Sequence, residues 1–544
     1  MKKFIYIPLL LISVLLFTGC TDFFETNPDD ILLGDDYIAD INEFYSGYMG
    51  VASKMQKMAD HAIFLSELRG DLLEPTENAP QGLWEIYNYT NDNNNEFTNP
   101  SGYYDIIVNA NDYISKSIKF KTENPNAIAD DVFEPILSGT IRFKVWAYLM
   151  LGKLYGQAKY FDDPMVEYQP DNEYPTLQFD ELVQQLISLL NNGISWEDGE
   201  GAHQISGLAS FRFTDFLYPD GSADMTWNMI NPNPLALKSE LALWAGNYDE
   251  VISTTMELLY DNGNTRNYKI TNDEYNGEWV KLFQSNVLAR EQVNVFMFDY
   301  ENNQTNNLLK YFSNIAPNQY YLRPSQAAMH RFEVQYQKNG IDKGDKYRGE
   351  GASYYMNNGE WVFNKFIRDY QSADKVYKTV NWISMYRATD IHLFLAEALN
   401  QKELFREADA IINEGISKYT LDYPDNLRYP FNNAEINDAF QKNWGLRKRV
   451  NLQPKQPTAD SITEPELYKM QFDSLLIEET CLESAGEARS YFAMIRMARR
   501  WNDPSILADR VSAKYPEGMR EAVRQRLMTP ENWFIKYDLK TTGE

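Results

Sequence analysis

The stretch "ISMYRATDIHLFLAEALNQKELFREADAIINEGI" (Ile383 to Ile416) sets the architecture. From Ile391 the apolar residues recur at spacings of three and four, the signature of an amphipathic helix. A polar turn at Asn400 to Glu403 interrupts the pattern. A second helix then places Ala408, Ile411 and Ile412 on one face. Small Ala396 lets two helices approach closely, and Phe405 wedges the turn between them. The same design occurs in "LALKSELALWAGNYDEVISTTMELL" (Leu235 to Leu259), with Ala242 as the small contact residue. Gly246-Asn247 is its stop, and Tyr248-Asp249 starts the next helix.

These units resemble tetratricopeptide helix pairs, but without the tandem period of about 34 residues of that family. "DVFEPILSGTIRFKVWAYLMLGKLYGQAKY" (Asp131 to Tyr160) reads as one long helix ended by Phe161-Asp162-Asp163-Pro164. Between the helical units lie insertions rich in Asn, Asp, Gly and Pro: Leu72 to Gly102, Ser195 to Pro234, and Asp261 to Trp279. Val293 to Tyr300 and Glu360 to Ile367 alternate like strands. From Leu421 the chain reads as irregular until a helix from about Glu466 to Trp501. The expected fold class is mainly α: a tetratricopeptide-like helix-pair scaffold with long loop-rich insertions and a few short β-hairpins.

The amino terminus carries a different signal. Lys2 and Lys3 precede an apolar run from Ile5 to Phe17, which has the length of a signal-peptide core and falls short of the ~20 residues of a membrane span. Leu16-Phe17-Thr18-Gly19-Cys20 resembles a bacterial lipobox, in which the chain is cut before the cysteine and the thiol is lipidated. The expected organisation is a lipoprotein signal peptide at 1–19 and a single domain at 20–544. Cys481 is the only other cysteine, so no intramolecular disulfide is expected once Cys20 is acylated. The formal charge of −27, or −29 without Lys2 and Lys3, repels polyanions and excludes a nucleic-acid partner.

Catalytic and metal motifs are missing from the sequence. The four histidines, His61, His203, His330 and His392, have no ligand spacing, and no serine lies in a Gly-x-Ser-x-Gly setting. His392 reads as structural. Nothing singles out a glycosidase-like pair among the 78 acidic residues. No enzymatic activity and no cofactor are expected. Asp92, Asn94 and Glu96 would offer oxygens to Ca²⁺, but a solvated polar loop is the preferred reading. Arg69-Gly70-Asp71 reads as a helix terminus. Aromatic residues make up 14 % of the chain, and many sit beside amides and carboxylates, as in "WEIYNYTNDNNNEF" and "NIAPNQYYLRP". Rings next to such groups suit sugars, which present CH faces and hydroxyls.

Taken in order, the motifs resemble those of the SusD/RagB family of nutrient-binding outer-membrane lipoproteins, across essentially the whole chain after Cys20. They are Cys20 with "TDFFETNP", "YYDIIVNANDYI" (Tyr103 to Ile114), "FKVWAYLMLGKLYG" (Phe143 to Gly156), "ALKSELALWAGNYDE" (Ala236 to Glu250), "RPSQAAMHRFE" (Arg323 to Glu333), "KGDKYRG" (Lys343 to Gly349) and "ISMYRATDIHLFLAEALNQ" (Ile383 to Gln401). "LIEETCLESAGEARSYFAMIRMA" (Leu476 to Ala498) matches more loosely: Ala488 stands after Glu487 where the family has glycine, and Ala493 follows Phe492 where it has aspartate. The resemblance implies a non-catalytic protein displayed on the outer membrane by an acylated Cys20. It implies a glycan ligand and a SusC-like TonB-dependent transporter as partner. A peptide-capturing lid, or a helix-repeat scaffold gripping other proteins, is the alternative. Ligand contacts in relatives lie in two loops, which here points to Arg69, Asp71, Trp84, Tyr87, Tyr89 and Asn91 on one wall and Tyr311 and Tyr320 on the other, with Trp279 as a further candidate.

Overall fold

The computed structural model describes residues 38–164, 173–199, 201–209, 229–260, 268, 270, 282–283, 291–299, 304–367, 380–416, 428–432 and 444–537. Cys20 and Trp279 lie outside the described residues.

In chain order the helices are α1 (Ile41–Lys57), α2 (His61–Arg69), α3 (Gln81–Tyr87), α4 (Ser101–Glu123), α5 (Asp130–Tyr155), α6 (Phe179–Asn192), α7 (Pro234–Trp244), α8 (Tyr248–Tyr260), α9 (Leu308–Phe312), α10 (Gln326–Glu333), α11 (Ala388–Gln401), α12 (Phe405–Ile412), α13 (Leu446–Arg449), α14 (Pro465–Glu483), α15 (Ser490–Arg500), α16 (Ser505–Ser512) and α17 (Glu517–Leu527). The described strands form five antiparallel pairs. These are β1 (Leu73–Pro75) with β7 (Leu322–Pro324), β2 (Gln157–Lys159) with β3 (Thr176–Gln178), β4 (Ile194–Asp198) with β5 (Gly201–Ile205), β6 (Gln292–Asp299) with β10 (Val380–Arg387), and β8 (Tyr354–Asn357) with β9 (Glu360–Phe363). The mainly α expectation therefore holds.

The helices stack successively: α4 on α5, α5 on α6, α6 on α7, α7 on α8, α8 on α11, and α11 on α12 and α14. Both helix–turn–helix readings hold, with Gly246 at φ 71° and Glu403 at φ 60° in the left-handed region at the two turns. Local caps explain where helices begin. Asp40 accepts from the amides of Asn42 and Glu43 at the start of α1, and Asn233 accepts from Leu235 and Ala236 with Pro234 as the first residue of α7. Helix α5 is buried at every residue from Ile136 to Tyr155, Arg142, Lys144 and Lys153 included, so it runs through the core rather than along the surface.

Three sequence expectations need correction. Helix α5 stops at Gly156 rather than at Phe161, because Gly156 takes φ 74° and the chain turns directly into β2. The expected helix from Glu466 to Trp501 is two helices, broken between Glu483 and Ser490. The strand read from Glu360 to Ile367 ends at Phe363.

The break between α14 and α15 serves a buried charge network. Arg348, Lys365, Arg387, Arg447 and Arg449 meet Glu291, Asp345, Glu479, Glu483 and Glu487, and none of these side chains is more than 2 % exposed. The five cations and five carboxylates balance. Arg387, from the opening stretch, donates to Glu291 at 2.7 Å, Glu483 at 3.0 Å and Glu487 at 2.8 Å. Arg348 bridges Asp345 at 2.7 Å, Glu479 at 2.6 Å and Glu483 at 2.8 Å. Burial alone would raise the Glu487 carboxyl, but Arg387 and Lys365 outweigh it and hold the group below its ordinary range. The turn that aims Glu487 inward puts Ala488 at φ 58°, a conformation that favours glycine. The Ala488 amide donates to Glu67 at 3.0 Å.

Removing one partner of such a network leaves buried charge uncompensated. Arg387→Met is therefore expected to lower stability by about 3–5 kcal/mol, read as a shift in the urea midpoint. A loss under about 1 kcal/mol would show that the network does not hold the fold.

His392 is 1 % exposed, with Nδ1 2.6 Å from the Ala388 carbonyl and Nε2 2.7 Å from the Tyr260 hydroxyl. Burial pushes its value down from 6.5 to about 4. The unfolded chain then binds more protons between those values, so stability is complete above about pH 6.5 and falls as pH drops toward 4. His392→Gln should flatten the slope of unfolding free energy against pH in that window. An unchanged slope would place the acid sensitivity elsewhere.

Candidate functional site

The residues expected in two ligand walls separate into groups. Strands β1 and β7 do bring the two segments together: Thr76 donates its amide to the Tyr321 carbonyl at 2.8 Å, and Arg323 binds Glu74 at 2.8 Å. The rings, however, face inward. Tyr311 packs on Phe64 with centroids 4.6 Å apart, and Tyr320 donates its hydroxyl to the Trp361 carbonyl at 2.6 Å. Burial pushes the Tyr311 phenol up to about 12 and moves Tyr320 upward too. Tyr87 lies against Tyr515 at 4.5 Å, with half-buried Trp84 edge-on at 5.9 Å. Asp71 is buried in an ion pair with Arg331. Tyr87, Tyr311 and Tyr320 thus present no open ring face, because packing occupies their surfaces.

Arg69, Tyr89 and Asn91 come together instead at a different place. With Thr90, Asn532, Phe534 and Lys536 they line an alcove of about 190 Å³. Tyr89, held at φ 57°, lays its ring under the Arg69 guanidinium at 4.3 Å and donates its hydroxyl to the Arg69 carbonyl. Arg69 ends α2, as the sequence indicated, and Nη2 donates to the carbonyls of Asn532 and Phe534.

Those carbonyls belong to a C-terminal segment that also roofs a larger cleft of about 540 Å³. After α17 the chain makes a 3-10 turn (Pro530–Trp533) whose Trp533 is buried, its indole donating to the Leu527 carbonyl at 2.7 Å. The Tyr491 hydroxyl donates to the Trp533 carbonyl at 2.8 Å, and the Ile535 amide donates to Leu154 at 2.8 Å. Phe534 lies flat on Gly156, where a Cβ would come within 2.7 Å of the ring. Gly156 is thus required twice, for its positive φ and for this approach.

The cleft walls combine rings and amides. Tyr104 from α4, Phe534 and Tyr537 are half-buried. Gln178 donates to Gln157 at 3.1 Å, Asn93 stands at the rim, and Asp180 pairs with Arg499 at 2.5 Å. The sequence reading missed this wall. "ENWFIKY" (Glu531 to Tyr537) carries the same mixture of rings and amides as the loops singled out earlier, but it lies at the end of the chain rather than in an insertion.

The loop Asp92 to Glu96 is organised by its own contacts: the Asn94 amide donates to Asp92 at 2.9 Å, and Asn95 caps the turn that follows. Among the described residues no group of three or more His, Cys, Asp or Glu is disposed to hold a metal ion. No described helix is long and apolar enough to cross a membrane.

No family model and no curated protein matches the sequence. Solved structures do. A SusD superfamily protein from Bacteroides vulgatus ATCC 8482 aligns over 90 % of this chain and 92 % of its own, at 14 % identity and a TM-score of 0.58. A laminarin binding SusD-like protein aligns over 90 % of this chain and 98 % of its own, at 14 % identity and 0.56. Surface glycan-binding protein A from Bacteroides uniformis aligns over 91 % and 96 %, at 13 % identity and 0.57. Helix pairs in the order that the motifs implied, matched end to end by these structures, establish that the chain has the SusD fold.

Proposed function

We propose that the protein captures carbohydrate at the cell surface and passes it to a SusC-like TonB-dependent transporter, without catalysis. The observation that carries this reading is the cleft under the C-terminal segment, where Tyr104, Phe534 and Tyr537 stand among Asn93, Gln157 and Gln178. Rings lie against the CH faces of a sugar at low entropic cost. Amides bridge vicinal hydroxyls, each bond contributing about 0.5–1.5 kcal/mol net. Two proteins of the same fold carry names that state laminarin binding and surface glycan binding, which supports the same class of ligand here. The lipobox ending at Cys20 would tether the domain to the outer membrane by acyl chains, with more than one chain needed for stable attachment.

Calorimetry against a panel of oligosaccharides should find a ligand with a dissociation constant on the order of micromolar to millimolar. Tyr104→Ala and Tyr537→Ala should each weaken it by about tenfold, roughly 1.4 kcal/mol, with circular dichroism unchanged. Full binding by both variants would remove the cleft from the mechanism. Binding of peptides and of no sugar would favour the peptide-capturing alternative.

Cell fractionation examines the anchor and the partner in one preparation. The wild-type chain should sediment with outer membrane, be cut by protease on intact cells, and co-purify in mild detergent with a barrel protein. Cys20→Ala should leave the chain unprocessed or released. Normal processing and full membrane retention of that variant would refute lipidation at Cys20.

A further inference from the structure

Among the described residues six arginines are buried to 2 % exposure or less: Arg69, Arg142, Arg348, Arg387, Arg447 and Arg449. Four of them sit in the balanced network described above. Arg142 uses Nε and Nη1 on the neutral oxygens of Asn231, Ser138, Gly207 and Ala209. Arg69, like Arg142, stands outside that network. It has no carboxylate partner among the described residues, its Nη2 bonds only carbonyls, and its buried Nε has no acceptor. It borders an alcove of about 190 Å³, room for roughly six waters.

The alcove is basic within a strongly acidic protein. Lys536, exposed and without an ion pair among the described residues, stands at its mouth. Asn91 and Thr90 add polar groups, and no carboxylate lines the alcove. The Asn91 amide is loosely held, with both of its acceptors at 3.4 Å. Asp71 pairs with Arg331, Asp180 with Arg499, and Glu531 lines the outer cleft. A buried guanidinium, a planar fork of N–H donors of which Nε has no acceptor, is matched by a planar oxyanion. The alcove and the cleft share Phe534 and Lys536, so a chain lying in the cleft can place a substituent in the alcove.

We infer that the Arg69 alcove is an oxyanion site and that it receives the carboxylate of a uronic acid residue of the captured glycan. The oxyanion chemistry stands on the alcove alone; its source in a sugar rests on the carbohydrate reading above. The acidity of the whole chain repels polyanions at long range, but that field is screened within about a Debye length of 8–10 Å, whereas the contact with Arg69 is direct.

The test compares three probes by calorimetry on the full-length soluble domain: a trisaccharide of galacturonate, its methyl ester, and inorganic sulfate. The acid should bind about tenfold tighter than the ester or better, and Lys536→Ala should reduce that preference several-fold. Lys536 is exposed, so this variant keeps the test decisive where Arg69→Gln, which also loses the bonds to the Asn532 and Phe534 carbonyls, unsettles the C-terminal segment. Equal affinity for acid and ester would overturn the uronate site while leaving glycan capture in place. Sulfate binding that is lost in Lys536→Ala, with neither sugar bound, would uphold the oxyanion site and overturn the uronate as its ligand. No binding of any probe would overturn the oxyanion site, with glycan capture decided by the oligosaccharide panel.

Discussion

The contact between Arg387 and three buried glutamates is the point from which the rest of the molecule is arranged. Moving an ion from water into the interior carries a penalty of several kcal/mol, offset only by close pairing and full hydrogen bonding. The network meets that demand with five charges of each sign. The charges come from segments far apart in the chain: Glu291 precedes β6, Arg348 follows α10, Lys365 follows β9, Arg387 ends β10, Arg447 and Arg449 lie in α13, and Glu479 and Glu483 are in α14. These segments cannot shift independently without exposing a bare charge. The network therefore fixes how the loop-rich part seats on the helix pairs.

The same constraint explains a local oddity. An unbroken helix through Glu483 to Ser490 would aim Glu487 according to helical periodicity. The turn instead delivers it to Arg387 and Lys365, and Ala488 accepts a left-handed backbone to do so. Glycine would be the easier residue there, so an alanine at this position shows that the ion pair outweighs the backbone strain.

Sequence periodicity revealed the helix pairs because their burial is local: Ala242, Ala396, Ile411 and Ile412 announce their own face at spacings of three and four. It failed where distant contacts decide. The helix expected to run to Tyr160 ends at Gly156, whose φ of 74° turns the chain into β2 and whose missing side chain leaves room for Phe534, a residue far away in sequence. The helix expected through Trp501 breaks for the network. The residues expected in the two ligand walls part company in the structure. Arg69, Tyr89 and Asn91 do meet at one alcove, but Tyr87, Tyr311 and Tyr320 carry the same aromatic signature and turn into the core. A tyrosine in a polar loop reads alike whether its ring faces solvent or a phenylalanine. Only the packing partners, Tyr515, Phe64 and the Trp361 carbonyl, separate the two cases.

The bonds from Arg69 to Asn532 and Phe534 join residues 463 and 465 positions apart. Their closure costs loop entropy that nothing nearby in sequence offsets, so such contacts form late. During synthesis the helix pairs emerge and pack first, and the segment Pro530 to Tyr537 completes the cleft only after it too has emerged. The recess is thus a seam between segments that lie far apart in the chain. A product cut short before Pro530 keeps the residues of the helix pairs and the charge network, but half of the recess is gone.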